Sequence, residues 1–184
     1  MRIFADTNVL FPFSVMDLLL ALTEDEIHEL VWSDFLLDEW QRVIVREGQR
    51  TADSAAKVAA VVRDYFRDSR VPHHAYAHLI DDAPSNDPDD RHHIAAAIAA
   101  RADAIVTNNV ADFPQDPLAK RGLRVLTPDE YLCELLNTAR VEVVATIERL
   151  ASEKRNPPMT SADLLARISK TAPQFASMAE EQLK

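Results

Sequence analysis

Glycine is nearly missing from this sequence, with only Gly48 and Gly122 among its 184 residues. The loops that wrap phosphate groups in Rossmann and P-loop proteins need several closely spaced glycines. The sequence therefore excludes both classes of nucleotide-binding protein. Cysteine is rarer still, because Cys133 stands alone and cannot form an internal disulfide. We expect Cys133 to be a buried small apolar residue in a protein of a reducing compartment.

Long apolar runs are missing as well. No uninterrupted apolar segment approaches the roughly 18 residues that a membrane-spanning helix needs. The first 13 residues carry Asp6 and Asn8, where a signal peptide would be apolar. We therefore predict a cytoplasmic protein that makes no membrane contact.

Basic residues are outnumbered, since 20 lysines and arginines face 30 acidic residues and give a formal net charge of −10. This charge argues against unspecific coating of nucleic acids. It leaves nucleic-acid chemistry open, because an acidic pocket that binds divalent cations has its local sign reversed. The apolar share of 47% is high enough to form the core of one domain.

Short apolar segments alternate with helical patterns over the first three quarters of the chain. The predicted strands cover residues 2–8, 27–32, 104–107 and 123–126, with a further short strand and flanking loop within residues 71–80. The helices between them are predicted near residues 13–22, 34–48, 52–70, 91–102, 117–121 and 129–136. This alternation predicts an α/β domain with a parallel sheet over residues 1–137. The purely helical pattern of residues 138–184 predicts a C-terminal helical extension.

Polar residues stand where the predicted strands and one helix begin or end. Asp6 closes the first strand, and a carboxylate at the exit of a strand buried on both faces is costly unless it is paired or bound to metal. Ligands of parallel sheets bind outside the carboxyl ends of the strands, so groups distant in sequence can converge there. The candidates are Asp6, Asp87, Asp89, Asp90, Thr107, Asn109 and Asp112, joined by Glu39 if its helix packs beside the first strand.

Four converging carboxylates would repel one another. At an effective dielectric constant of about 20, each close pair costs on the order of 4 kcal/mol. Either some are protonated, with raised pKa values, or cations neutralise them. Two Mg²⁺ ions would balance four carboxylates, and oxygen ligands favour Mg²⁺ or Mn²⁺ over zinc. Such a site suits the hydrolysis of a phosphate ester.

Several short motifs, in their order and spacing, resemble the PIN domain, and most closely the VapC-type toxin ribonucleases. They are Asp6-Thr7-Asn8, Glu39 in the helix after the second strand, Asp90 before an Ile-Ala-Ala-Ala helix, and the segment Thr107-Asn108-Asn109-Val110-Ala111-Asp112-Phe113. The resemblance covers about residues 1–137 and implies a PIN-like three-layer fold, with a central parallel sheet flanked by helices. The remaining helices look like the extension that a subset of these toxins carries.

The resemblance implies a Mg²⁺- or Mn²⁺-dependent endoribonuclease that forms a homodimer and is inhibited by a cognate antitoxin protein. By position it implies four acidic residues that are both catalytic and metal-binding (Asp6, Glu39, Asp90 and Asp112), with Thr7 and Asn109 orienting them or the attacking water. Asp87 and Asp89 compete for the third position. Asp90 fits best because it precedes the small packing residue Ala95 by five positions.

Plainer interpretations stand beside these. Asp87 and Asp89 are expected to cap a helix, and Glu39 alone could pair with Arg42. The histidines at positions 73, 74, 78, 92 and 93 lack the cysteine partners and the glutamate pattern of zinc sites, so we expect them at the surface or at a hinge. In an acidic protein with an RNA substrate, the best candidates for phosphate contacts are Arg42, Arg46 and Arg50.

Two other functions remain open. A phosphohydrolase of the haloacid dehalogenase type would use Asp6 as its nucleophile and Thr107 as its threonine. In this chain Asn8 occupies the position of that family's second aspartate. The chain also lacks a suitable lysine, because Lys120 does not follow a predicted strand. The third possibility is a non-catalytic domain that acts through its partner surface.

Overall fold

The computed structural model describes residues 1–183, in which four parallel strands form one sheet. The strands are β1 (Arg2–Ala5), β2 (Glu29–Val31), β3 (Ala104–Val106) and β4 (Arg124–Leu126), in the spatial order β2-β1-β3-β4. Ile3, Phe4 and Ala5 are all fully buried although successive side chains of a strand point to opposite faces. Both faces of the sheet are therefore covered at its centre, as in other parallel sheets.

Helices flank this sheet and continue beyond it. Those of residues 1–183 are α1 (Thr7–Leu10), α2 (Phe13–Glu24), α3 (Asp34–Arg46), α4 (Ala52–Tyr65), α5 (His73–Tyr76), α6 (Arg91–Ala99), α7 (Gln115–Ala119), α8 (Pro128–Thr138), α9 (Arg140–Glu153), α10 (Ser161–Ile168) and α11 (Pro173–Gln182). The prediction of an α/β fold with a parallel sheet and a helical C-terminal region is confirmed.

Local sequence signals set the ends of the helices that position the site. The Ser33 side chain accepts a hydrogen bond from the Leu36 backbone N–H and so caps α3. Gly48 follows that helix with a φ of 66°, a conformation that glycine adopts without strain. Thr127 and Glu130 form a reciprocal capping box at the start of α8.

The segment predicted as a short strand, residues 71–80, is helical instead. It forms α5 and a following 3₁₀ turn, Ala77–Leu79. Long-range hydrogen bonds also end α4 five residues earlier than its sequence pattern predicts. The Trp32 indole N–H donates to the Phe66 carbonyl, and the Trp32 backbone bonds to Ser69 and Val71. These bonds hold residues 66–71 beside the end of β2 and so stop the helix.

The C-terminal helices share the core of the sheet domain. Helix α8 packs against both β4 and α11, and α9 packs against α2. Phe175 of α11 and Ile147 of α9 are fully buried in the same apolar cluster as Phe4. The boundary predicted between residues 137 and 138 stays a prediction.

Cys133 is buried in α8, as expected of a small apolar residue. Among the helices of residues 1–183, none combines the length and the apolar character that crossing a membrane requires.

Candidate metal centre

The order of the strands places the polar residues at one edge of the sheet. The chain runs from β1 outward to β2 and from β3 outward to β4, so the direction of winding reverses between β1 and β3. A crevice forms at such a switch point, outside the carboxyl ends of the strands. Ala5 pairs with Val106 there, and the next residues along the two strands are Asp6 and Thr107.

Asp6 is held at this edge by several hydrogen bonds and is only 4% exposed. Its backbone N–H donates to the Val106 carbonyl (2.9 Å), and the Thr107 hydroxyl donates to its Oδ2 atom (2.7 Å). The Asn8 side-chain amide donates to the same oxygen. Asn8 also accepts a hydrogen bond from the Asn108 backbone N–H, which ties the two strand exits together. The carboxylate therefore has a fixed orientation.

His93 of α6 lies between Asp6 and Glu39 and is 1% exposed. Its Nδ1 atom is 3.3 Å from Asp6 Oδ1, and its Nε2 atom is 2.9 Å from Glu39 Oε2. Both are ion-pair contacts that lack the alignment of a hydrogen bond. The imidazole thus bridges β1 and α3 through their two carboxylates.

Glu39 lies on the other side of that ring, on α3. The Thr7 hydroxyl donates to its Oε2 atom at 2.6 Å, so Oε2 is engaged by both Thr7 and His93. Within residues 1–183, Oε1 has no hydrogen-bond or ion-pair partner. Helix α3 therefore places Glu39 beside the end of the first strand, which was the condition for including it among the candidates.

Asp90 is shared by two groups of possible metal ligands. One donor atom from each of Asp6, Asp90 and His93 lies within 4.8 Å of the others, and the same holds for Asp87, Asp90 and Asp112. Glu39 belongs to neither three-residue group among the described residues. Asn109 contacts Asp112 through its side-chain amide. The site thus brings together Asp6, Asp90 and Asp112, while Glu39 joins them across His93.

The caps expected of Asp87 and Asp89 are present in part. Asp87 accepts a hydrogen bond from the Asp89 backbone N–H and caps the 3₁₀ turn Pro88–Asp90. Asp87 nevertheless also lies in the acidic group with Asp90. The Asp87 side chain therefore caps the turn and also belongs to the acidic group.

The pKa values show how crowded this negative charge is. Burial and the charge of Asp6 raise the pKa of Asp90 to about 7. Burial alone would lower the pKa of His93, but the carboxylates of Asp6 and Glu39 raise it to about 9. Burial alone would raise the pKa of Glu39, but His93 and Thr7 hold it below its usual value. At neutral pH, His93 is therefore a cation between two carboxylates.

The expectation that all five clustered histidines lie at the surface or at a hinge is wrong for His93. His73, His74 and His78 are exposed, as expected, and His92 stacks on Phe35 with 4.1 Å between ring centroids. A signal for His93 was present in the sequence. It lies three residues after Asp90, on the same face of one helix, and Ala97 continues that buried face one turn later.

An open cleft of about 390 Å³ gives access to the site. Its walls include Asp6, Thr7, Glu39, Asp90 and Asn109.

The three arginines proposed for RNA contact lie on or after α3. Arg42 and Arg46 are exposed, and Arg50 lies 4.1 Å over the Phe13 ring.

The donor set fits a hard divalent cation. In the metal-free protein the carboxylates of Asp6 and Glu39 keep His93 protonated at neutral pH, so the carboxylate oxygens are the donors available to an incoming cation. Oxygen ligands suit Mg²⁺ and Mn²⁺. The pKa of Asp90 is raised because burial and the charge of Asp6 disfavour its ionised form. A bound cation would stabilise that ionised form. Asp87 adds a fifth carboxylate to the four that were predicted, and His93 adds one positive charge, so two Mg²⁺ ions would balance the ionised group.

Comparisons with known proteins agree with this site. Residues 2–111, more than half of the chain, match the family described as PIN domain, and residues 128–181 match the VapC50 C-terminal domain. The chain is 36% identical over 97 residues to "Putative ribonuclease VapC50" of Mycobacterium tuberculosis, a match that covers 53% of this chain and 57% of that relative. The chain thus spans little more than half of that relative's length. No solved structure shows significant similarity. The resemblance found in the sequence is confirmed, and the chain belongs to the PIN-domain family.

Proposed function

We propose that this protein is a metal-dependent endoribonuclease and the toxin of a toxin–antitoxin pair. The observation that carries the proposal is the acidic group around Asp90 at the switch point between β1 and β3, in a chain of the PIN-domain family. The similarity to a protein described as a ribonuclease supports RNA as the substrate. An antitoxin partner, a homodimer and a cytoplasmic location follow from the same resemblance.

The residues of the site have separate tasks in this proposal. Asp6, Asp90 and Asp112 would hold Mg²⁺ or Mn²⁺, which supplies an activated water and neutralises charge on the phosphodiester. Thr107 and Asn8 fix the orientation of Asp6. Asn109 orients Asp112 in the same way.

Glu39 has one oxygen available for chemistry. Thr7 and His93 engage Oε2, while Oε1 has no partner among residues 1–183 and Glu39 lines the cleft. Because its pKa is held below the usual value, Glu39 is a carboxylate at neutral pH. Its Oε1 atom can therefore bind the cation, as predicted from the sequence, or accept a hydrogen bond from the attacking water. Cleavage by that water leaves 3′-hydroxyl and 5′-phosphate ends.

The test compares the purified chain with its Asp6→Asn variant on end-labelled RNA, in Mg²⁺, Mn²⁺ or EDTA. We expect discrete cleavage that needs the metal, and a loss of at least 100-fold in the variant because the substitution removes a metal-binding carboxylate. Asp116→Asn, an exposed aspartate of α7, is the matched control. Cleavage that survives EDTA or Asp6→Asn would refute the proposal.

The same experiment decides the two alternatives. A phosphomonoester substrate run in parallel reports on the phosphohydrolase, whose nucleophile would be Asp6. Family membership favours the nuclease. A non-catalytic partner domain would leave both substrates intact.

A further inference from the structure

We propose that the C-terminal helices continue the nuclease site as a binding groove for single-stranded RNA. The groove runs from the metal centre past Phe13 to a basic cleft beside α10. This inference rests on the proposed nuclease function and adds to it where the substrate strand lies.

Three adjoining depressions make up this groove. Phe11 lines both the cleft of the metal centre and a second depression of about 630 Å³ at the end of α3. Pro12 and Phe13 line that second depression and also a third, of about 600 Å³, between the start of α2 and the helices α9 and α10. A strand that leaves the metal centre on this side would therefore pass over Phe11 into the second depression, and over Pro12 and Phe13 into the third.

The middle of the groove offers a stacking surface. Phe13 is 38% exposed, although its ring is large and apolar. The Arg50 guanidinium lies 4.1 Å from the centroid of that ring. An aromatic ring beside an arginine is the usual platform for a base of single-stranded nucleic acid.

The far end of the groove concentrates positive charge in a protein of net charge −10. Residues 138–183 contain six lysines and arginines, and four of them line this cleft: Lys154, Arg155, Arg167 and Lys170. The two acidic residues of its wall are each already paired, Asp17 with Lys154 and Glu153 with Arg149.

Three of these cations form no ion pair among the described residues. Arg155, Arg167 and Lys170 are exposed, and none of them forms an ion pair within the part of the chain that the structure describes. Unpaired cations beside an aromatic platform suit the alternating phosphates and bases of single-stranded RNA. Because the groove begins at the metal centre, its occupant is expected to be the RNA substrate and not a protein partner.

The first experiment measures binding in an Asp6→Asn background, so that the RNA stays intact. The triple variant Arg155→Glu/Arg167→Glu/Lys170→Glu is compared with Lys57→Glu/Lys120→Glu/Arg140→Glu. The control residues are also exposed, form no ion pair within residues 1–183 and line none of the three depressions. Both variants change the net charge by the same amount, and thermal unfolding checks that both are folded.

We expect the test variant to bind a labelled single-stranded 20-mer at least tenfold more weakly than the control variant does. The slope of log affinity against log salt should fall by about 2, since about 0.7 is lost per phosphate contact. Phe13→Ala should weaken binding about fivefold or more, whereas Tyr65→Ala, which changes an exposed ring outside the groove, should not.

Cleavage with Asp6 restored gives the second measurement. The preference for the 20-mer over a dinucleotide, as a ratio of kcat/KM values, should fall at least tenfold in the test variant. Equal losses in the test and control variants would overturn the groove, because net charge alone would explain them. RNA affinity that matches the unmutated chain would also overturn it, because these cations would then make no contact with the RNA. If cleavage does not need Asp6, the nuclease proposal fails, while the binding comparison still decides the groove.

Discussion

At the scale of single residues, the acidic group is the part of the site that the sequence predicts best. Asp6 and Asp112 follow strands, and Asp90 begins a helix, so topology alone brings them to one edge of the sheet. His93 was missed because a buried cation between two carboxylates depends on tertiary packing. Its neighbour His92 is half-buried and stacks on Phe35, so two adjacent histidines of one helix have different surroundings.

Replacing His93 should destabilise the metal-free protein. His93→Leu leaves Asp6 and Glu39 facing each other without a cation, and losing one partner of a buried ion pair costs about 3 kcal/mol or more. Urea unfolding in EDTA measures this loss, and Mg²⁺ should restore part of it. His92→Leu is the control and should cost about 1 kcal/mol, since it removes only a stacking contact. Equal stability of the two variants would contradict the bridging role.

The affinity for Mg²⁺ should rise with pH up to about 7 and then level off. Asp90 has a pKa of about 7 in the metal-free protein because of burial and the charge of Asp6. Below that pH the cation must displace a proton, so the affinity should change about tenfold per pH unit. In the metal-free protein, His93 has a pKa of about 9 and is protonated from pH 6 to pH 8.

Calorimetry in buffers of different ionisation enthalpy tests this directly. For each Mg²⁺ ion that binds, Asp90 should release close to one proton at pH 6 and almost none at pH 8. Asp90→Asn should bind more weakly and lose the pH dependence. An affinity for the unmutated chain that is constant from pH 6 to pH 8 would show that Asp90 is already ionised.

At the scale of elements, most of the strands and helices follow from local patterns, and the errors come from long-range bonds. The predicted strand within residues 71–80 is helical, and α4 stops at Tyr65 although its sequence could continue. The backbone of Trp32 binds residues 69 and 71, and no local pattern in α4 carries that information. The elements that position Asp6, Glu39 and Asp90 were predicted, because their caps and apolar faces are local.

His28 links the sheet domain to the C-terminal helices and should make stability depend on pH. Its Nε2–H donates to the Leu19 carbonyl of α2 (2.7 Å), and its Nδ1 accepts a hydrogen bond from the Tyr131 hydroxyl of α8. Burial lowers its pKa from 6.5 to about 4. Below pH 6.5, His28 therefore binds a proton in the unfolded chain. In the folded chain it binds that proton only when the pH falls to about 4. The free energy of unfolding should fall by about 3 kcal/mol across this window.

Urea unfolding at several pH values between 4 and 7 measures this effect. His28→Gln removes the titrating group, so its stability should fall less steeply over the window than that of the unmutated chain. His78→Gln, at an exposed histidine, is the control and should follow the unmutated chain. Parallel curves for all three proteins would mean that His28 does not stay neutral in the folded state.

At the scale of the whole molecule, the C-terminal helices share one apolar core with the sheet domain. The purely helical pattern of residues 138–184 predicts an extension, but it does not show how that extension packs. Helix α8 packs against β4 of the sheet and against the C-terminal helix α11. Its Tyr131 side chain is fully buried, and the Tyr131 hydroxyl contacts His28. Periodicity reveals that a helix has an apolar face, but it does not reveal which element covers that face.

The two parts should therefore unfold together. Trp32 and Trp40 are both buried in the sheet domain, so tryptophan fluorescence reports on that part alone. Far-UV circular dichroism reports on all helices, including α9, α10 and α11. Because one apolar cluster runs through both parts, we expect coincident urea transitions by the two probes. A helical signal lost at lower urea than the fluorescence change would show that the C-terminal helices are an independent unit. In that case the proposed RNA groove would lie between two separable bodies, and its basic end could move relative to the metal centre.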